Sequence, residues 1–205
     1  MPDLMTHVFQ CFTWMSNPRG PVQLLQETRV PLPATREQPR RVDYEYERAG
    51  TASIFMFCEP LAGWRQVSVR ARRTKIDWAQ AMEQWLRTRY AKAEKVILVC
   101  DNLNPHTAGA FYQTFVPQQA RELVRRLDFC PTPQQGSWRN IAECELSSLT
   151  RQCVPGHRLA TMEMLRSETT AWHQHSNARQ RGVDWQFTVG DARVKLKSIY
   201  PKLVM

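Results

Sequence analysis

The chain has 205 residues and 42% hydrophobic content, enough for a real core in one substantial domain or two small ones. Lys and Arg number 28 against 19 Asp and Glu, a formal charge of +9, which excludes an acidic calcium-binding protein and points to a polyanionic partner. No apolar run approaches the roughly 18 residues of a membrane span, and Met1 to Met15 lacks the basic start and small-residue cleavage site of a signal peptide, so no membrane partner and a cytoplasmic location are expected.

Prolines at 2, 18, 21, 31, 33 and 39 break the first 40 residues, leaving His7 to Met15 as the one stretch able to form a strand. From Val42 to Glu47 apolar or aromatic residues alternate with acidic ones, Arg48-Ala49-Gly50-Thr51 reads as a turn, and Ala52 to Cys58 is an apolar strand. With Trp64 to Ala71 these predict a three-stranded antiparallel meander. An amphipathic helix is predicted from Asp77 to Tyr90, with Trp78, Met82, Trp85 and Leu86 at helical spacing. Lys95 to Cys100 is a short apolar run of the kind found in a strand covered on both faces. Helices are predicted at Pro117 to Leu127, Ile141 to Cys153 and Leu159 to Arg181, with a short strand at Asp128 to Cys130. Trp78 and Trp85, and Met162, Met164 and Leu165, read as packing side chains rather than stacking platforms or a cofactor surface.

Six cysteines, at 11, 58, 100, 130, 144 and 153, include no Cys-x-x-Cys pair and read as reduced core residues. Cys144, Cys153 and His157 come nearest to a zinc ligand set but lack a fourth member.

Asp101 follows the Lys95 to Cys100 strand directly, and Asn102, Leu103, Asn104, Pro105 and His106 come next. The carboxyl end of a central strand is where open α/β sheets bind ligands, so Asp101 is placed to hold a metal or polar substrate; capping a helix that starts near Thr107 is the other reading. In Gly136-Ser137-Trp138-Arg139-Asn140-Ile141-Ala142-Glu143-Cys144-Glu145, a turn enters a helix. Glu143 and Glu145 lie about 200° apart around it, so only one of them can face Asp101. A carboxylate in a first helical turn is also favoured by the helix dipole alone.

The order of elements, Asp-Asn-x-x-x-His at 101 to 106 and Asn-x-x-Glu at 140 to 143 resemble the catalytic domain of mariner-type bacterial insertion-sequence transposases of the DDE superfamily. Further matching stretches are Gln23 to Arg29, Asp43 to Arg48, Phe57 to Trp64, Gly136 to Trp138 and Val183 to Thr188, so the likeness runs from about Pro21 to Pro201. The resemblance implies an α/β RNase H-like fold, with a mixed five-stranded sheet, helices on both faces and a first strand degraded or replaced. It implies residues 21–205 as the catalytic domain, behind an unmatched segment 1–20 and without the helix-turn-helix region of such transposases. It also implies DNA as partner, a homo-oligomer or an intact transposase as further partner, and a bacterial, nucleoid-associated location when DNA is bound.

The chemistry implied is DNA cleavage and strand transfer in transposition, with three acids holding two Mg²⁺ (or Mn²⁺) ions that activate the nucleophile and stabilise the leaving oxyanion. Asp101 matches the second acid and Glu143 the third, as catalytic and metal-binding residues; Asn102, His106 and Asn140 match supporting neighbours. At the first acid the chain departs: the family's Asp-Glu-x-Pro-x-Gln-Leu corresponds to Pro18-Arg19-Gly20-Pro21-Val22-Gln23-Leu24, so Pro18 stands in place of the Asp. Asp43, Glu45, Glu47 and Glu59 match non-catalytic positions and are poor substitutes. A truncated, inactive copy is therefore expected; the alternative is a non-catalytic DNA-binding or oligomerising remnant.

Arg65, Arg70, Arg72, Arg73 and Lys75 form one basic cluster, and Arg179, Arg181, Arg193, Lys195, Lys197 and Lys202 another. Of these, Arg70, Arg72, Arg73, Lys75, Lys195 and Lys197 are the candidate nucleic-acid contacts, with solubility as the simpler role.

Overall fold

In a computed structural model the chain is described over residues 22–100, 106–132, 141–153, 158–179, 182–184, 190, 191 and 194, and as backbone alone over 6–14. Strand pairing is organised by the long strand β3 (Tyr46–Glu59), which is antiparallel to β2 (Val22–Glu27) along its first half. Along its second half it is antiparallel to β1 (Thr6–Trp14) and to β4 (Trp64–Arg70). β1 also pairs in parallel with β5 (Lys95–Cys100), and β5 with β6 (Leu127–Pro131). The result is a mixed sheet of six strands in the order β2-β3-β1-β5-β6, with β4 on β3, rather than five.

Two expectations are corrected. The hairpin predicted at Arg48 to Thr51 is a continuous strand: Leu24 faces Gly50 but Leu25 faces Arg48, so Ala49 is the extra residue of a β-bulge. Gly50 has φ +132°, so the glycine that reads as a turn signal serves a bulge within a strand. The first strand is also not degraded as a strand, because β1 is nine residues long and paired on both sides.

The helices follow their local signals. α1 (Lys75–Arg87) opens with a capping box: the Asp77 amide donates to Thr74 Oγ1 at 3.1 Å and the Thr74 amide donates to Asp77 Oδ2 at 3.0 Å. Its far end is closed by the Arg126 guanidinium, which donates to the carbonyls of Leu86 at 3.0 Å, Ala93 at 2.9 Å and Tyr90. α2 (Ala108–Thr114) and α3 (Pro117–Arg125) follow β5, and α4 (Ile141–Cys153) and α5 (Met162–Ala178) follow β6. Strand alternation divides the core. Phe55, Phe57, Val96 and Leu98 face α1 to α3, while Ile54, Met56, Cys58, Val67 and Val69 face α4 and α5. Helices thus cover both faces of the sheet. None of the described helices is long and apolar enough to cross a membrane.

Trp78 and Leu165 are fully buried as expected, and Met162 packs against the core, but Met164 is 46% exposed and does not pack. Cys58, Cys100 and Cys153 are buried, whereas Cys130 and Cys144 are exposed, correcting their reading as core residues. Burial pushes the Cys58 thiol well above its ordinary range and Cys153 up to about 11.

Candidate active site

β5 is an inner strand of the sheet, and Asp101 is the residue that follows its last member, Cys100. Beside it β1 runs parallel, with Cys11 opposite Cys100. α4, which carries Glu143 as its third residue, packs against β1 and β3. β1 therefore has β5 as its parallel neighbour and α4 packed against it. Asp101, Asn102, Asn140, Pro18 and the side chain of Glu143 lie outside the described residues. The N-cap of α2 is Thr107, in extended backbone. His106, just before that cap, is 5% exposed, and its ring centroid lies 5.3 Å from that of Trp78.

The nine residues of β1, Thr-His-Val-Phe-Gln-Cys-Phe-Thr-Trp, contain no acid. Three nearby acids, Glu59, Asp43 and Glu27, are engaged elsewhere. Glu59, 7% exposed at the end of β3, accepts from Arg89 Nε at 2.6 Å and from the Tyr90 hydroxyl. Burial and then Glu59 push the Tyr90 phenol far above its usual range, keeping it neutral. Burial works to lower the Arg89 pKa, but the hydrogen bond and charge of Glu59 prevail and raise it. The Arg89 guanidinium also lies 4.1 Å from the Trp64 ring centroid. Asp43 pairs with Arg29 at 3.3 Å, and Glu27 with Arg158 at 2.6 Å.

Arg65 departs from its expected place in the basic cluster. It alternates with Val67 and Val69 on the inward face of β4, and its side chain is 6% exposed. Its Nε lies 2.8 Å from Glu145 Oε2, and its Nη2 donates to Oε1 at 3.0 Å. Strand alternation was the signal available for this, since 65, 67 and 69 share a face. Glu145 itself is thereby an anchor. The cleft of about 310 Å³ between α4 and α5 is lined by this pair with Trp172, His175, Ser176 and Arg179.

Of the remaining basic candidates, Arg72 and Arg73 are exposed between β4 and α1, Lys75 is half-buried as the first residue of α1, and Arg70 is half-buried with its Nε donating to Ser68 Oγ at 3.3 Å. Lys195 and Lys197 lie outside the described residues. Among the described residues no three His, Cys, Asp or Glu side chains are grouped to hold a metal, and of the zinc candidates Cys144 is exposed, Cys153 is buried and His157 lies outside.

A family model for the DDE superfamily endonuclease matches residues 23–166, well over half of the chain. The chain belongs to the DDE superfamily endonuclease family. In fold, this DDE domain is similar to the crystal structure of the Mos1 strand transfer complex, with a TM-score of 0.50 and 11% sequence identity over 87% of this chain. It spans 52% of that solved chain. Comparison with curated proteins gives no match. The DDE superfamily resemblance is thus supported by the family model and the fold by the solved structure, and the expected α/β architecture stands, with six strands instead of five.

Proposed function

We propose that this chain is a DDE-type transposase catalytic domain that engages DNA without cutting it. The observation that carries this is the acid-free strand β1 lying parallel to β5, with Cys11 opposite Cys100. DDE superfamily endonucleases use divalent metal ions, and in two-metal chemistry the ions stand about 3.5–4 Å apart, so a carboxylate between them offsets their mutual repulsion. With Asp101 after β5 and Glu143 on α4 as matching second and third acids, the strand beside them offers no first one. Glu59, Asp43 and Glu27 are engaged with Arg89, Arg29 and Arg158 and are no substitutes. The residues present therefore do not fit a two-ion centre, and no catalytic step is derived through one.

What this chain's own residues retain is the DNA-facing charge. Exposed Arg72 and Arg73, with half-buried Lys75 two residues on, follow the end of β4, where they can neutralise backbone phosphates without reading sequence. The Mos1 complex that shares the fold is a strand transfer complex, which agrees with a DNA partner. The test is an oligonucleotide nicking assay with Mg²⁺ and then Mn²⁺, beside a gel-shift titration in increasing salt. Salt-sensitive binding with no nicking is expected. Nicking that disappears in Asp101→Ala would overturn the proposal.

A further inference from the structure

We propose that Arg65 is a positioning residue, whose pair with Glu145 sets α4 against the sheet and so sets where Glu143 is held. The inference rests on the reading of Glu143 as the family's third acid. Three elements meet at Arg65. Its guanidinium takes both carboxylate oxygens of Glu145 on α4, at 2.8 and 3.0 Å. Its main chain is held by α5: the Arg65 amide donates to Asn177 Oδ1 at 2.8 Å, and Asn177 Nδ2 donates to the Arg65 carbonyl at 2.8 Å. Asn177 thus occupies the edge of β4 as a neighbouring strand would.

The rest of the contact between α4 and the sheet is apolar. Ala142, Leu146, Leu149 and Cys153 form the buried stripe, and such packing is non-directional and tolerates sliding and rotation. A two-pronged guanidinium–carboxylate contact fixes distance and orientation together. With side chains only 6% and 16% exposed, the pair is shielded from water, so neither partner gains by leaving it. Glu145 is two residues beyond Glu143, about 3 Å along the helix axis, so rotation or sliding of α4 is carried directly to residue 143.

The exposed thiols Cys130 on β6 and Cys144 on α4 supply native label sites for the test. In the full chain carrying Cys11→Ser, spin labels on these two cysteines report the distance from α4 to the sheet by pulsed dipolar spectroscopy. One narrow distance is expected. Glu145→Gln, which keeps the shape and one hydrogen-bond acceptor, and Arg65→Lys, which keeps charge without the fork, should each move or broaden it by about 2 Å, the scale of a helix shift. Tyr90→Phe loosens a buried contact on the opposite face of the sheet and should leave it unchanged. An unchanged distance in both Arg65 and Glu145 variants, or equal broadening in Tyr90→Phe, would overturn the proposal. The measurement needs neither DNA nor metal. If Glu143→Gln binds Mn²⁺ as the wild type does, read by electron paramagnetic resonance, while the distance still responds to Glu145→Gln, the role given to Glu143 falls and the positioning of α4 stands.

Discussion

Replacing Gly50 by Ala tests the bulge that interrupts the β2–β3 pairing. Gly50 has φ +132°, and a Cβ built there would come no nearer than 4.0 Å to any heavy atom, that atom being Leu24 Cδ1. Steric overlap is therefore excluded as a cost, and the penalty is that of the backbone alone. An L side chain held in this region costs about 1–3 kcal/mol. The lower entropy of the unfolded chain returns about 0.4–1 kcal/mol, leaving a net loss of roughly 1–2 kcal/mol. Leu24, opposite Gly50, is 5% exposed and belongs to the core under α4 and α5, so the strain is felt in global unfolding. Gly109→Ala is the control of opposite sign: Gly109 lies within α2, where an added Cβ meets only Thr107 Oγ1 at 3.7 Å. It should stabilise by about 0.5–1 kcal/mol. Tryptophan fluorescence in urea reads both. With a slope near 2 kcal/mol per molar, the midpoint should fall by roughly 0.5–1 M in Gly50→Ala and rise by roughly 0.3–0.5 M in Gly109→Ala. A Gly50→Ala midpoint at or above that of the wild type would refute the positive φ at Gly50 and with it the bulge.

Glu59→Gln removes the charge that Arg89 and Tyr90 share in a site 7% exposed, and a loss of about 2–3 kcal/mol is expected in the same unfolding experiment. His173 is 5% exposed, and burial lowers its pKa below the usual 6.5 despite the opposing influence of the Thr169 backbone carbonyl. The unfolded chain then binds the proton more readily, so its contribution is complete above about pH 6.5 and declines as pH falls below that value. Melting temperatures from pH 7.5 to 5 should drop, and the drop should be shallower in His173→Met. Reversing Arg72, Arg73 and Lys75 to Glu should weaken DNA binding irrespective of sequence and flatten the slope of log affinity against log salt by about 0.9 for each phosphate no longer neutralised. An unchanged slope would move the DNA surface elsewhere.

The elements most legible in the sequence are those whose determinants are local. Ile141 to Cys153 is read correctly end to end, and α1 carries both its apolar stripe and its Thr74–Asp77 capping box within one stretch. β5 announces itself as a short apolar run and does lie inside the sheet. Other features depend on partners distant in the chain. Gly50 marks a departure from regular backbone in either reading, and whether that is a turn or a bulge depends on β2 lying alongside. Arg65 falls within a run of cations, yet its burial follows from the arrival of Glu145 and Asn177, 80 and 112 residues later. The alternation of Arg65 with Val67 and Val69 hinted at the inward face, but no local pattern names the partner.

Sequence by itself determined the family, which the family match over residues 23–166 bears out. It also determined the net charge of +9 and, under the proposed function, the reading of Pro18 in place of the first acid. Only the tertiary structure decided that an acid-free strand lies beside β5, that β3 runs unbroken through Gly50, and that Arg65 serves α4 instead of solvent. The physical reason is range. Helical period and capping are written within a few residues, whereas strand neighbours and buried ion pairs are settled when distant segments compete for the same backbone edges and the same shielded charge.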